Sequence, residues 1–193
     1  LPASGKLIAL SAPLNSMTES SIVFGRTSIA QEAPSGSVVY FWDPTLQVWS
    51  GGSKSTKGWS PAQSNKVIAS GEALFLKGNP ADAVAREVTI TGEVPDDAAL
   101  ARAIPGSSNL GTIGNPFPVD FKFGTSSIAS NAAQGSVVYF WDEALQVWSG
   151  GSKGIKGWAG AQSNRVVLAA EGFFLKELGA PSIWTNSKPY TWP

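Results

Sequence analysis

The sequence predicts an all-β protein built as two tandem homologous modules of short antiparallel strands, of the sandwich or barrel type. Three observations lead to this prediction: a long internal repeat, runs of β-branched and aromatic residues, and a composition with 21 Gly, 13 Pro and only 15% charged residues among 193. Half of this length, about 95 residues, is enough to bury a modest core. We therefore expect one module in residues 1–104 and a second in residues 105–193.

The internal repeat is closest over its central part. Gly36-Ser-Val-Val-Tyr-Phe-Trp-Asp43 returns unchanged as residues 135–142, at an offset of 99 residues. The same offset relates Leu46–Lys54 to Leu145–Lys153, and Lys57-Gly-Trp59 to Lys156-Gly-Trp158. Upstream, residues 7–14 resemble residues 110–117 if the first copy carries about four extra residues near positions 17–21. The copies thus cover the whole chain and indicate a duplication.

Strand patterns appear in the same order in each copy. Lys6–Leu10 is β-prone, and Val38–Trp42 is an unbroken β-branched and aromatic run typical of a central strand covered on both faces. Asp43-Pro-Thr45 is a turn signal before the alternating Leu46–Trp49, so we expect a hairpin. Further short strands are predicted at residues 67–68, 73–76 and 88–91, which gives six or seven per module.

Two segments are less regular. The Gly-rich Ser50–Lys54 lacks the spacing of a phosphate-binding loop, so it indicates a turn. Asp96–Arg102 is the one helix candidate, because acidic residues favour a helix N-terminus. The alternative for this segment is a linker between the modules.

The composition excludes most catalytic chemistry. The chain has no His and no Cys, so it lacks the usual neutral-pH acid/base group and the common soft metal ligands. Asp43 and Glu72 recur as Asp142 and Glu171, and a carboxylate pair is sufficient for glycoside hydrolysis. Asp also favours turns, however, and a turn cap is the simpler interpretation of Asp43. We expect no enzyme active site, no cofactor and no metal, although acidic pairs such as Asp96-Asp97 leave a structural cation open.

Charge and hydropathy restrict the partners. The 14 basic and 14 acidic residues cancel, which gives no basic surface for nucleic acid. No apolar stretch approaches the roughly 20 residues of a membrane-spanning helix, so no membrane insertion is expected. The chain begins at Leu1 rather than Met, which fits the loss of a leader or a fragment of a longer protein.

The high Trp content, eight in 193 residues, is the most informative feature of the composition. Trp42 and Trp141 lie in the apolar run and are expected in the core. The other repeated Trp residues border Gly, Ser and Lys, and both a core position and a binding surface are open for them, since aromatic faces stack on sugar rings and anchor interfaces. The candidate interaction surface consists of Trp49, Trp59, Trp148 and Trp158.

Several motifs together resemble uncharacterised β-rich repeats of secreted and cell-surface bacterial proteins. They are Asn-Pro-Phe-Pro-Val-Asp at 115–120, the Tyr-Phe-Trp-Asp strand, the Gly-Trp element, Glu-Gly-Phe-Phe-Leu-Lys at 171–176 and Thr-Ile-Thr-Gly-Glu-Val at 89–94. The first copy departs from this pattern, with Ser-Ala-Pro-Leu-Asn where the second has Gly-Asn-Pro-Phe-Pro. The resemblance implies an extracellular or cell-surface location in bacteria and brings no catalytic residues.

Two functions fit these observations. The first is a structural subunit of an extracellular filament, fibre or surface layer, a homopolymer in which copies of the chain join through strand edges and aromatic tails. Its candidate inter-subunit contacts are Leu7, Ile8, Leu10, Trp184, Tyr190 and Trp192. The alternative is a carbohydrate-binding module that gains avidity for a polysaccharide from its duplication.

Overall fold

A computed structural model describes residues 1–17 and 21–191 of the chain. Strands dominate, the few helices are very short, and the predicted all-β class is confirmed. The first copy contains β1 (Leu7–Ser11), β2 (Ile22–Val23), α1 (Ser28–Glu32), β3 (Val38–Asp43), β4 (Val48–Ser53), α2 (Pro61–Ser64), β5 (Val67–Ile68) and β6 (Ala73–Lys77). The second contains β7 (Ala99–Ile104), β8 (Leu110–Gly114), β9 (Phe121–Lys122), α3 (Ser127–Asn131), β10 (Val137–Asp142), β11 (Val147–Ser152), α4 (Gly160–Ser163), β12 (Val166–Val167), β13 (Gly172–Lys176) and β14 (Ser182–Ser187).

Each copy forms the same four-stranded antiparallel sheet. The strand order is β1-β6-β3-β4 in the first copy and β8-β13-β10-β11 in the second. Leu7 pairs with Lys77, and Leu110 pairs with Lys176 in the same way. The first strands of the two copies, β1 and β8, are therefore 103 positions apart, whereas the later strands are 99 positions apart. The four extra residues of the first copy thus lie between β1 and β2.

The predicted hairpin is confirmed by the pairing of β3 with β4, in which Trp42 lies opposite Trp49. The Gly-rich segment is the end of β4, so the prediction of a turn there was wrong. A β carbon on Gly51 would lie 2.0 Å from the Val39 carbonyl oxygen, and one on Gly52 would lie 3.0 Å from the Gln63 amide. Glycine is used here because other parts of the chain approach the strand too closely for a side chain.

Lys54 explains why a basic residue follows the glycines. Its ammonium group donates hydrogen bonds to the carbonyl oxygens of Ala30, Gln31 and Ala33 at 2.6–2.9 Å. These carbonyls lie at the C-terminal end of α1, where unpaired acceptors and the helix dipole favour a positive charge. Lys153 makes the equivalent bonds to Ser130 and Ala132 in the second copy.

Each module has its own hydrophobic core between one face of its sheet and the short helices. In the first copy Phe24, Val39 and Leu76 are fully buried. The corresponding core of the second copy also includes Ile104 of β7 and Trp184 of β14. Among the helices in the described part of the chain, none is long and apolar enough to cross a membrane.

The segment before the predicted boundary at residue 104 pairs with the second module. β7 runs antiparallel to β14, with Ile104 opposite Ser182, so the prediction of a helix over Asp96–Arg102 was wrong. Residues 88–91, predicted as a strand, are not in a strand either, although Val88 and Ile90 pack against the first core. Residues on both sides of position 104 thus contribute to the second core.

The other faces of the two sheets meet and hold the modules together. Phe75 and Phe174 stack with ring centroids 5.5 Å apart and planes inclined by 14°. They are equivalent residues of the two copies, so the contact is a pseudo-two-fold one. Ala73 and Gly172, again equivalent, also face each other. The sheets that pack face to face therefore come from different modules.

Candidate functional site

Aromatic side chains line the junction between the modules on both sides of the pseudo-two-fold axis. Trp49 lies edge-on to Phe75 of its own copy and to Phe174 of the other, with ring centroids 5.3 and 5.7 Å apart. Trp148 makes the reciprocal contacts, at 5.3 Å to Phe174 and 5.6 Å to Phe75. Trp49 is still 44% exposed and Trp148 41% exposed. These two indoles form a continuous aromatic surface open to solvent.

The local sequence brings each indole to this surface. Asp43 accepts hydrogen bonds from the backbone N–H groups of Thr45 and Leu46, so it caps the turn that leads into β4. These bonds hold the pKa of the Asp43 carboxyl below its usual range. Strand pairing then sets Trp49 beside Trp42, with ring centroids 5.1 Å apart. The turn and the pairing register thus determine which face of the sheet carries the exposed indole.

A reciprocal set of hydrogen bonds fixes the first strand of one copy to the hairpin of the other. The indole N–H of Trp42 donates to the Leu110 carbonyl oxygen at 2.7 Å, and Gln47 accepts from the Leu110 N–H at 2.8 Å. In the opposite direction, Trp141 donates to the Leu7 carbonyl oxygen at 2.8 Å, and Gln146 accepts from the Leu7 N–H at 2.7 Å. Both repeated hairpins therefore act as clamps across the junction.

Two equivalent cavities open beside the exposed indoles. Both are shallow and wide open to solvent, with volumes of about 540 and 530 Å³. The first is lined by Trp42, Gln47, Trp49, Ser108, Leu110, Tyr139, Trp148, Phe174 and Lys176. The second is lined by Gly5, Leu7, Tyr40, Trp49, Phe75, Lys77, Gln146 and Trp148. Both Trp49 and Trp148 line each cavity, so the two cavities share their aromatic walls.

Each cavity also offers polar groups. Lys77 and Tyr40 line one cavity, and Lys176 and Tyr139 line the other. All four side chains are half-buried. An ammonium group supplies three hydrogen-bond donors, and a phenol hydroxyl both donates and accepts. The combination of aromatic walls and a few fixed polar groups is typical of a binding site for a small or extended polar ligand.

The structure separates the four predicted surface Trp residues into two pairs. Trp49 and Trp148 lie at the exposed junction, whereas Trp59 and Trp158 are half-buried against the separate cores of the modules. The indole N–H of Trp59 donates to the Ala30 carbonyl oxygen at 2.8 Å, and Trp158 makes the same bond to Ala129 at 2.9 Å. Their positions match the alternative of a core role, and we leave them out of the candidate site.

Most of the predicted inter-subunit contacts are used within the chain. Leu7 is clamped by the second copy, and Leu10 and Ile8 pack against the first core, with Leu10 also bridged to Glu171. Trp184 is only 3% exposed, so it is a core residue and not a surface contact. Leu7, Ile8, Leu10 and Trp184 thus make contacts inside one molecule, and a role for the half-buried leucines and isoleucine between chains stays a prediction.

Tyr190, near the C-terminus, contacts residues earlier in the chain. The Tyr190 hydroxyl donates to the Pro95 carbonyl oxygen at 2.6 Å, and its ring lies 5.8 Å from Phe117. Burial raises the pKa of the Tyr190 hydroxyl. Trp192, also predicted as an inter-subunit contact, lies outside the described residues.

The repeated acids have structural partners. Glu171 accepts from the Leu168 N–H at 2.9 Å and lies 2.5 Å from the Arg165 guanidinium, while burial raises the pKa of its carboxyl. Glu72 accepts from the Ala69 N–H at 3.0 Å and lies 3.8 Å from Arg102.

Two further acids, Asp96 and Asp82, are also engaged. Lys188 donates to the Asp96 carboxylate at 2.6 Å, and Arg86 to that of Asp82 at 3.2 Å. Within residues 1–17 and 21–191, no group of three or more acidic side chains is arranged to hold a metal ion. Local ion pairs and backbone bonds therefore account for the contacts of these acids.

The sequence alone does not indicate the polar residues of the site. Tyr40, Lys77 and Gln47 recur in the second copy, and this repetition was the available signal. Their sequence neighbours give no reason to group them, because they lie on different strands and turns. The strand register and the contact between the copies bring them together.

The structure is that of an all-β protein in which two equivalent four-stranded sheets meet at a symmetric aromatic surface. The chain matches none of the known family models, curated proteins or solved structures with which it was compared. The resemblance to repeats of secreted bacterial proteins stays a prediction.

Proposed function

We propose that the protein is an extracellular carbohydrate-binding module that holds polysaccharide at the two cavities of the module junction. The observation that carries this proposal is the pair of equivalent cavities, each lined by both Trp49 and Trp148. Sugar rings present patches of C–H groups that pack on indole faces, while their hydroxyls need hydrogen-bond partners. The proposal involves no catalytic step.

The shape of the surface supports an extended ligand. The cavities adjoin each other through the shared indoles, so a chain of several sugar units can contact both. Lys77 and Lys176 lie at equivalent positions on either side. Hydroxyl groups of a glycan accept hydrogen bonds from ammonium groups, which gives each cavity an orienting contact.

The binding experiment begins with an array of cellulose, chitin, xylan and mannan hexasaccharides, followed by calorimetric titration of any glycan retained. Trp49→Ala is expected to lower affinity about 30-fold, the loss of roughly 2 kcal/mol typical of a central aromatic contact. Because Trp49 lines both cavities, the loss should affect all sites and not half of them. Trp148→Ala should have the same effect.

Val48→Ala is the matched control for Trp49→Ala. Val48 is the preceding residue of β4, is 49% exposed, and points to the opposite face of the strand. Its replacement should leave glycan affinity unchanged. Absence of binding to every glycan at millimolar concentration, or equal loss in both variants, would contradict the proposal.

A structural subunit of an extracellular assembly is the second candidate, and one observation favours it. β4 and β11 are edge strands of their sheets with adjoining exposed apolar side chains. Leu46 is 69% exposed and Leu145 is 70% exposed, and Val48 and Val147 are about half exposed. An exposed apolar edge strand favours strand addition by a neighbouring chain.

Negative-stain electron microscopy over a concentration series tests this second candidate. If β4 and β11 join chains, fibres or sheets should form, and Val48→Lys with Val147→Lys should prevent them because an edge Lys opposes strand pairing. Trp49→Ala with Trp148→Ala is the comparison, since it removes indoles from the proposed glycan site on the other face. Uniform single particles at every concentration would refute the assembly.

A further inference from the structure

Each cavity at the junction is lined by one charged side chain, and in both cavities that side chain is a lysine. Lys77 lines one cavity and Lys176 lines the other, and the two are equivalent residues of the repeat. No Asp or Glu is among the described residues that line either cavity. The local charge of both cavities is therefore positive, although the basic and acidic residues of the whole chain cancel.

Both lysines lie on the face of the sheet that forms the junction. Lys77 comes two residues after Phe75 in β6, and Lys176 comes two residues after Phe174 in β13. Alternate residues of a strand share a face, so each lysine lies on the same face as one of the two stacked rings. A β carbon on Gly5, which lines the same cavity as Lys77, would lie 3.5 Å from Cε of Lys77. The end of the Lys77 side chain thus lies beside the cavity wall.

Neither of these two ammonium groups has an opposite charge beside it within the described residues. Both side chains are half-buried, yet the ion pairs of the described part of the chain all involve other residues. Its cation–ring contacts also involve other residues, such as Lys66 over Phe41. The ammonium group of Lys54, by contrast, is fully used by three carbonyl oxygens. The positive charges of the cavities are therefore available to a ligand.

We propose that the ligand of the junction is an acidic polysaccharide, whose sugar units carry a negative group such as the carboxylate of a uronic acid. This inference rests on the proposed carbohydrate binding and names the class of glycan. A hydrogen bond from an ammonium to a carboxylate is roughly twice as strong as one between neutral groups. Trp49 and Trp148 pack on the sugar rings, while Lys77 and Lys176 each pair with one acidic group.

The test compares glycans that differ only in charge. Hexasaccharides of β-1,4-linked mannose and of β-1,4-linked mannuronic acid share their linkage and ring configuration, and they differ at C6, which is a hydroxymethyl group in one and a carboxylate in the other. The corresponding pair from glucose and glucuronic acid is measured as well. Calorimetric titration at low salt should show about ten-fold tighter binding of the acidic member, the gain from one hydrogen bond to a charged group. Added salt should reduce this difference because it screens exposed charges.

Lys77→Gln with Lys176→Gln removes both ammonium groups and keeps a hydrogen-bond donor at each position. This double variant should bind the acidic and the neutral hexasaccharide equally, with an unchanged affinity for the neutral one. Lys57→Gln with Lys156→Gln is the matched control, because these repeated lysines are exposed and line neither cavity. It removes the same net charge and should keep the preference for the acidic glycan.

The results separate this inference from the carbohydrate binding on which it rests. If a neutral glycan binds at least as tightly as its acidic counterpart, or if Lys77→Gln with Lys176→Gln keeps the preference, the assignment to acidic polysaccharide is wrong while carbohydrate binding stands. If no glycan of either kind binds, carbohydrate binding itself is refuted. Loss of the preference in the control variant as well would show an effect of net charge and overturn the role of the two cavity lysines.

Discussion

Replacement of Gly172 by Ala tests the face-to-face packing of the two modules. A β carbon on Gly172 would lie 2.5 Å from the β carbon of Ala73, its pseudo-two-fold equivalent, and 3.1 Å from the Leu10 carbonyl oxygen. Carbon atoms in contact are normally 3.5–4.0 Å apart, so the strands must separate by about 1 Å. Overpacking of this kind costs about 1–3 kcal/mol.

The complementary change is Ala73→Gly, which removes a buried methyl group. Its cost is about 0.8 kcal/mol for the methyl group and 0.5–1 kcal/mol for the added backbone freedom. In the double variant the single β carbon is moved from one module to the other, so the clash with Ala73 is absent and only the 3.1 Å contact with the Leu10 carbonyl oxygen remains. We therefore expect the double variant to lie within about 1 kcal/mol of the unmodified protein, with a coupling energy of about 2 kcal/mol.

Urea denaturation of the four proteins, followed by tryptophan fluorescence and circular dichroism, gives this coupling energy. Additive effects of Gly172→Ala and Ala73→Gly would mean that the two residues do not face each other. A neutral Gly172→Ala variant would lead to the same conclusion. Either result would refute the packing of one sheet against the other and, with it, the position of the shared cavities.

Three further changes address local interactions. Lys54→Met removes three hydrogen bonds to carbonyls at the end of α1 and should lower the free energy of unfolding by about 2–3 kcal/mol, measured by urea denaturation; an unchanged midpoint would contradict this capping role. Trp42→Phe keeps an aromatic ring but loses the bond to the Leu110 carbonyl oxygen, so the free energy of unfolding should fall by about 1 kcal/mol, measured by urea denaturation; an unchanged midpoint would disprove the clamp. Burial raises the pKa of Glu171, so folding favours its protonated form and stability should fall as pH rises from the ordinary carboxyl pKa through the raised value; Glu171→Gln should remove this part of the slope, and an identical pH profile would contradict it.

The sequence predicts the β3–β4 hairpin because its signals are local. Val38–Trp42 has the composition of a central strand, and Asp43 with Pro44 marks the turn. The equivalence of the modules also follows from the repeat alone. The hairpin depends on residues that are neighbours in the sequence, and the equivalence of the modules needs only an alignment of the two copies.

β7 was missed because its residues favour a helix when considered alone. Ala, Leu and Arg are among the best helix formers, and Asp96 and Asp97 precede them. Pairing with β14, whose residues lie 78 to 88 positions later than their β7 partners, overrides this local preference. Ile104 is buried and Arg102 lies beside Glu72, so tertiary contacts determine the structure of this segment.

The candidate site was only half predictable. Trp49 and Trp148 were identified from their repetition and their polar neighbours. Gln47, a polar residue in a tight turn, gave no indication that it reaches the backbone of the other copy. Contacts between the modules depend on how the two sheets pack together, and the sequence of one module does not indicate that packing.

The pseudo-two-fold relation between the cavities has a consequence for any ligand that has a direction. A glycan chain has a reducing end and a non-reducing end, and a two-fold rotation reverses a chain that crosses its axis. A single glycan chain that spans both cavities would therefore run through the first cavity in one orientation and through the second in the opposite orientation. Two chains that each occupy one cavity in the preferred orientation would run antiparallel, and a single protein molecule would then join them as a cross-link.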